Sequence, residues 1–213
     1  MASRVLLVLL VIGYVHSYSL QPLSCNEIRT FVDGHNYRRV QLAKGAVAGQ
    51  PPATQMKFMV WDNELAAKAA SWAVKDVEGH NPNRAVGRFK TGENIYWYST
   101  TNKNVAFNPD EALDSWFAEH KNYVYSPVQE NDVQRAQNNQ ILHYTQMVWS
   151  DSVYVGCAIA RKYEGIWNKF KVVCNYGPAG NYIGQTPYKT NGRTTDKLLC
   201  TLNNCARPYG DRC

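Results

Sequence analysis

Two stretches of strict alternation, one on each side of a glycine, constrain this chain more than any other feature of its sequence. Val153, Val155, Cys157 and Ile159 recur at every second position, and so do Phe170, Val172, Cys174 and Tyr176. Period-two spacing places each set on one face of a β-strand. If Cys157 faces Cys174, then Ile159 faces Val172, Arg161 faces Phe170, and the chain reverses over Glu164-Gly165-Ile166-Trp167. Glycine then falls at the first central residue of the turn, where a type II′ hairpin needs a positive φ. The sequence predicts an antiparallel hairpin with a Cys157–Cys174 cross-strand disulfide.

Six cysteines occur in all, at 25, 157, 174, 200, 205 and 213. Once Cys157 and Cys174 are joined, Cys25, Cys200, Cys205 and Cys213 form two further bridges, with three pairings open. At least one must tie Cys25 to the C-terminal tail, since the tail's three cysteines cannot all pair among themselves. An even set of this kind belongs to an oxidising compartment. The N-terminus agrees, because Arg4 precedes an apolar run from Val5 to Val15 that is shorter than the roughly 20 residues a bilayer span requires. Val15-His16-Ser17 then offers small or modest residues for cleavage after Ser17. The expectation is a signal peptide over 1–17, a secreted extracellular chain without a transmembrane segment, one domain over 18–185, and a short cysteine-containing extension over 186–213.

The net charge of +6 is thinly spread and contains no run of basic residues, which excludes a nucleic-acid arm. The densest basic cluster, "RKYEGIWNKFK" from Arg161 to Lys171, reads as a solvated hairpin. Three segments read as helices. Ile28, Phe31, Val32, His35 and Arg39 fall at helical spacing, and Lys44-Gly45 supplies a stop. Asp62 caps a second helix whose buried face is Leu65, Ala69, Trp72 and Ala73. Asn108 caps a third, with Pro109 at its first position and Asp110 and Glu111 at the positive end of its dipole. Glu93 to Tyr98 reads as a third strand.

No nucleophile elbow, zinc-binding HExxH helix or glycine-rich phosphate loop is present. What remains is two imidazoles and two carboxylates in semi-buried places: His80 in "EGHNPNR", His143 in "ILHYTQMVW", Glu93 at a strand entrance, and Glu119 beside the apolar stripe of the third helix. Such groups can hold a divalent cation or exchange protons, but spacing alone does not bring them together.

"HNYRR", "MVWDNELAAKAASWA", "GENI", "HYTQMVW" and "VCNYGPAGNY" occur in that order, and together they resemble the CAP superfamily. Its members are cysteine-rich secretory proteins, antigen 5-type venom allergens and pathogenesis-related proteins. The resemblance runs from about Phe31 to Tyr182. It implies an α+β fold, a three-layer α-β-α sandwich around a small antiparallel sheet. It also implies a cleft lined by His80, Glu93, Glu119 and His143. His80 and His143 would be the ligands of Zn2+ or another divalent cation, and Glu93 and Glu119 would orient them.

This chain departs from the pattern at several points. Leu142 stands where a glycine or charged residue is usual, Lys171 where an apolar residue is usual, and Asp76 and Thr91 where many relatives have cysteines. The loop carrying His80 should therefore be held less firmly. The short tail also lacks the cysteine-dense module of channel-blocking relatives. The functional expectation is a secreted binding or effector protein of venom, salivary or defence type, with lipid or sterol as further occupants of the cleft. A metal-dependent, protease-like hydrolase is one other reading, although no nucleophile or third metal ligand argues for turnover. A scaffold whose loops bind a host cell-surface protein is the other.

Overall fold

The computed structural model describes residues 17–135, 137–211 and 213. The expected leader, apart from Ser17, lies outside the described residues. Five strands form one sheet: β1 (Ser19–Gln21), β2 (Val60–Trp61), β3 (Gly92–Thr100), β4 (Tyr154–Glu164) and β5 (Trp167–Gly177). Their order is β1-β4-β5-β3, antiparallel throughout, and the two-residue β2 pairs parallel to β4. Among the described residues, four α-helices accompany them: α1 (Cys25–Ala43), α2 (Asn63–Ala73), α3 (Pro109–Ala118) and α4 (Leu142–Met147). No helix among the described residues is long and apolar enough to cross a membrane.

The helix ends follow local chemistry. Ser24 accepts from the Glu27 amide at 3.3 Å while the Glu27 carboxylate accepts from the Ser24 amide at 2.7 Å, a reciprocal box that starts α1. Asp62 caps α2 through the Leu65 amide at 2.9 Å, and Asn108 caps α3 through the Asp110 amide at 3.1 Å. The α1 residues at helical spacing are buried, and the buried face of α2 is Leu65, Ala69, Trp72 and Ala73.

The hairpin keeps the register that alternation sets, with Cys157 opposite Cys174 and Glu164 opposite Trp167. Gly165 has φ +58° at the turn. Alternation then sorts the two sheet faces. Val155, Cys157, Ile159, Val172, Cys174 and Tyr176 enter the larger core, against the side carrying α1, α3 and α4. Ala158, Ala160, Ile95 and Val173 enter a smaller core under α2. Gly156 lets α2 approach closely, since a Cβ there would lie 2.1 Å from the Ala66 nitrogen and 2.5 Å from the Asp62 carbonyl oxygen. The result is the α-β-α sandwich, with α2 alone as one outer layer.

One reading needs correction. Lys171, placed in a solvated hairpin on sequence grounds, is fully buried, because its side chain faces α2 instead of water. The tail lies along the segment before α2. The Thr54 amide donates to Lys189, that of Phe58 to Leu199 and that of Trp61 to Pro208. Disulfides join Cys25 to Cys213, Cys157 to Cys174 and Cys200 to Cys205.

A polar chain crosses the larger core. His35 Nδ1 donates to the Phe31 carbonyl at 2.7 Å, which leaves Nε2 to accept from the Tyr176 hydroxyl at 2.9 Å. The Asn94 amide donates to the same hydroxyl at 3.1 Å. Burial pulls the His35 pKa from 6.5 down to about 3, so the ring is neutral in the folded protein.

Two outcomes are expected. Alanine at both Cys25 and Cys213, which are 188 residues apart, should cost about 5 kcal/mol. The same change at Cys200 and Cys205, five apart, should cost about 2 kcal/mol or less. Denaturant midpoints rank the two. The depressed His35 pKa stabilises fully above the unfolded value of 6.5, and that contribution is lost as pH falls from there toward about 3. Urea melts at about pH 7 and about pH 4.5 should show His35→Gln losing roughly one proton less of this dependence than the parent.

Candidate functional site

The structure brings the four nominated residues together as two imidazole–carboxylate pairs. His80 Nδ1 lies 2.9 Å from Glu93 Oε1, and the same oxygen accepts from the Asn81 amide at 2.8 Å. His143 Nδ1 lies 2.6 Å from Glu119 Oε1. A carboxylate oxygen accepts, so each Nδ1 carries a proton, and the neutral tautomer this selects has its lone pair on Nε2. The second oxygen of Glu93 is buried without a hydrogen-bond partner.

Each side chain reaches its place for a different reason. Glu93 follows Gly92 at the first turn of the β3 ladder, opposite Asn175 of β5. Glu119 ends α3 and begins a single 3₁₀ turn, Glu119–Lys121. Its Oε2 accepts from the amides of His143 at 3.0 Å and Tyr144 at 3.1 Å. These are first-turn donors of α4, which has no side-chain cap of its own at Ile141. One carboxylate from a distant helix therefore caps α4 and fixes the ring of His143. Trp116 stacks on that ring with centroids 6.2 Å apart. Asn94 Nδ2 donates to the His143 carbonyl at 3.0 Å.

No period in the sequence marks Leu142–Met147 as an element, so α4 is the part of the site that was not legible there. Arg39 is fully buried, and its three hydrogen bonds run to the carbonyls of Met147 (2.9 Å), Lys57 (2.8 Å) and Trp149 (2.7 Å). Two of these lie at the end of α4. The spacing of Arg39 on a buried helical face was the available signal for this anchor. The "GPAGNY" loop closes the other side, where Gln146 Oε1 accepts from the Gly180 amide at 2.9 Å and Asn181 Nδ2 donates to the Leu142 carbonyl at 2.8 Å.

The cleft has a volume of about 360 Å³, and its lining includes His80, Glu93 and His143 but not Glu119, which sits behind His143. Val128, Ile141, Leu142 and Ala179 supply apolar wall. Arg84 and Arg135 also line it, a cationic contribution with no sequence motif to announce it. Arg84 Nε donates to Thr91 at 3.1 Å and its Nη1 to Asn81 at 3.0 Å, which straps the loop after His80. His80 is the open member, with 54% of its side chain exposed against 19% for His143.

The cleft offers the two imidazole Nε2 atoms as donors. Among the described residues, no three His, Cys, Asp or Glu side chains are gathered where an ion could sit. Two imidazole Nε2 atoms would leave further positions to water, one short of the three protein ligands usual at a catalytic zinc.

Known proteins resemble this chain in sequence and in fold. Venom allergen 5 of Rhynchium brunneum is 38% identical over 160 residues, covering 73% of this chain and 67% of that protein. The crystal structure of NaASP2 with Zn2+ is 30% identical, with a TM-score of 0.66 over 79% of this chain and 88% of its own. Venom allergen-like protein 4 of Schistosoma mansoni is 27% identical, with a TM-score of 0.60 over 80% and 97%. The model of the cysteine-rich secretory protein family, CAP, matches residues 26–176, and the chain belongs to that family.

Proposed function

We propose that this is a secreted binding or effector protein whose cleft takes a divalent cation, Zn2+ by preference, on His80 and His143. The observation that carries the reading is that both rings are held through Nδ1 by a carboxylate, at 2.9 and 2.6 Å. That arrangement fixes the tautomer a metal needs and raises the basicity of Nε2. Glu119 is fully engaged by its ring and two amides. Glu93 keeps one buried oxygen without a partner, which could accept from a water bound to the ion. NaASP2, whose structure holds Zn2+, supports the choice of metal. A bound cation would polarise its water or receive an anionic group, and the apolar walls suit the body of a lipid or sterol. Turnover is not part of the proposal, since two protein ligands give a modest site.

Titration calorimetry with zinc at about pH 7.5 should show one site, weakened at about pH 5.5, because imidazole must be neutral to ligate. The His80→Ala/His143→Ala double variant should remove the heat while circular dichroism stays unchanged. Unaltered zinc affinity in that variant would overturn the assignment. Glu119→Gln should weaken binding by about tenfold through loss of its hold on His143.

A further inference from the structure

We infer that Lys171 is the positioning residue for His80, a buried cation that fastens the segment leading to that histidine. The inference rests on the cation reading of the cleft for its functional meaning, and on separate geometry for its substance. Lys171 sits on β5 opposite Trp97 of β3, on the sheet face covered by α2, and none of it is exposed. Its ammonium donates to the carbonyls of Trp72 at 3.4 Å, Lys75 at 3.1 Å and Val77 at 3.0 Å. A lysine has three N–H donors, and all three are used.

The accepting carbonyls are that of Trp72 in the last turn of α2, which also accepts from the Lys75 amide, and those of Lys75 and Val77 just beyond it, near the negative end of the helix dipole. The rings of Trp72 and Trp97 lie 5.2 and 6.0 Å from the ammonium. Nearly every step from there to His80 is fastened. Lys162 of β4 pairs with Asp76 at 2.5 Å. The Trp72 indole donates to the Gly79 carbonyl at 3.0 Å. His80 is the next residue, and its own side chain has one hydrogen bond, to Glu93.

A lysine is an unusual choice for this position. Burial pulls its pKa down, opposed by the fields of Glu93 and Asp76, and an uncharged side chain would spare the desolvation. A group with several donors can meet all three carbonyls at once, one in the last turn of α2 and two in the segment beyond it. The role parallels that of Arg39, which holds the end of α4 and so the helix carrying His143. Each histidine of the cleft thus follows, or belongs to, a helix whose end is held by a buried cation bonded to main-chain oxygens.

Long-range nitrogen–proton NMR of the histidine rings tests this, with zinc ion alone as the binding probe. Lys171→Met should erase the single Nδ1–H signature of His80, speed exchange of the Asn81 amide, leave His143 unchanged, and weaken zinc binding by about tenfold. Val173→Ala is the control, since it truncates a buried neighbour on the same sheet face. It should lower the melting temperature without moving the His80 signals. An undisturbed His80 in Lys171→Met, or equal disturbance by Val173→Ala, would overturn the inference. Should Lys171→Met not accumulate folded, Lys171→Val, which also removes every donor and suits a buried strand position, is read the same way. If the parent chain binds no zinc, the cation reading fails while the ring spectra still decide the role of Lys171.

Discussion

Eleven consecutive residue pairs join β4 to β5, from Tyr154 opposite Gly177 to Glu164 opposite Trp167, and both helical layers rest on that ladder. Its register decides which side chains enter which core. A slip of one residue would send Cys157, Ile159, Val172 and Cys174 to the α2 face and bring Lys171 and Asn175 into the larger core. The Cys157–Cys174 bond and the Gly165 turn exclude such a slip from within the hairpin itself. Once that pair is set, β3 adds to one side and β1 to the other, and Glu93 and Asn94 arrive at the rim of the cleft.

The cleft depends on polar groups held in a dry setting more than on the ladder's apolar faces. Glu119 spans the gap between α3 and α4, satisfying two helix-terminal amides and one imidazole. Arg39 and Lys171 make only main-chain contacts among their described hydrogen bonds, so each acts as an anchor for backbone and not as half of an ion pair. Buried cations of this kind carry a large desolvation cost that the main-chain carbonyls they meet offset. The two histidines still differ. His143 is stacked, capped and mostly covered, whereas His80 lies in a loop whose order comes from straps placed before and after it.

Much of the fold was legible in the sequence. The hairpin register, the caps at Asp62 and Asn108, and the buried face of α2 all follow from local rules about spacing and capping. The short elements were not legible. β1 and β2 have three and two residues, too few to show a period, and α4 has six residues with its cap supplied from 24 and 25 positions upstream. Lys171 was misplaced for a related reason. Charge and its neighbours Lys169 and Arg161 pointed to water, while strand alternation pointed to the α2 face, and alternation won.

The sequence by itself determined the compartment-type chemistry of six cysteines, the central hairpin with its turn, three of the four helices, and the residue types able to form a histidine–glutamate cleft. These rest on interactions within a few residues, or on a period that one strand carries alone. Tertiary structure decided the pairing of Cys25 with Cys213, the docking of the tail along residues 54–61, and the joining of His80 to Glu93 and His143 to Glu119. It also decided that two cations would be buried at helix ends. Those contacts link positions from 13 to 188 residues apart, and nothing local in the chain records which carbonyl or carboxylate each group will meet.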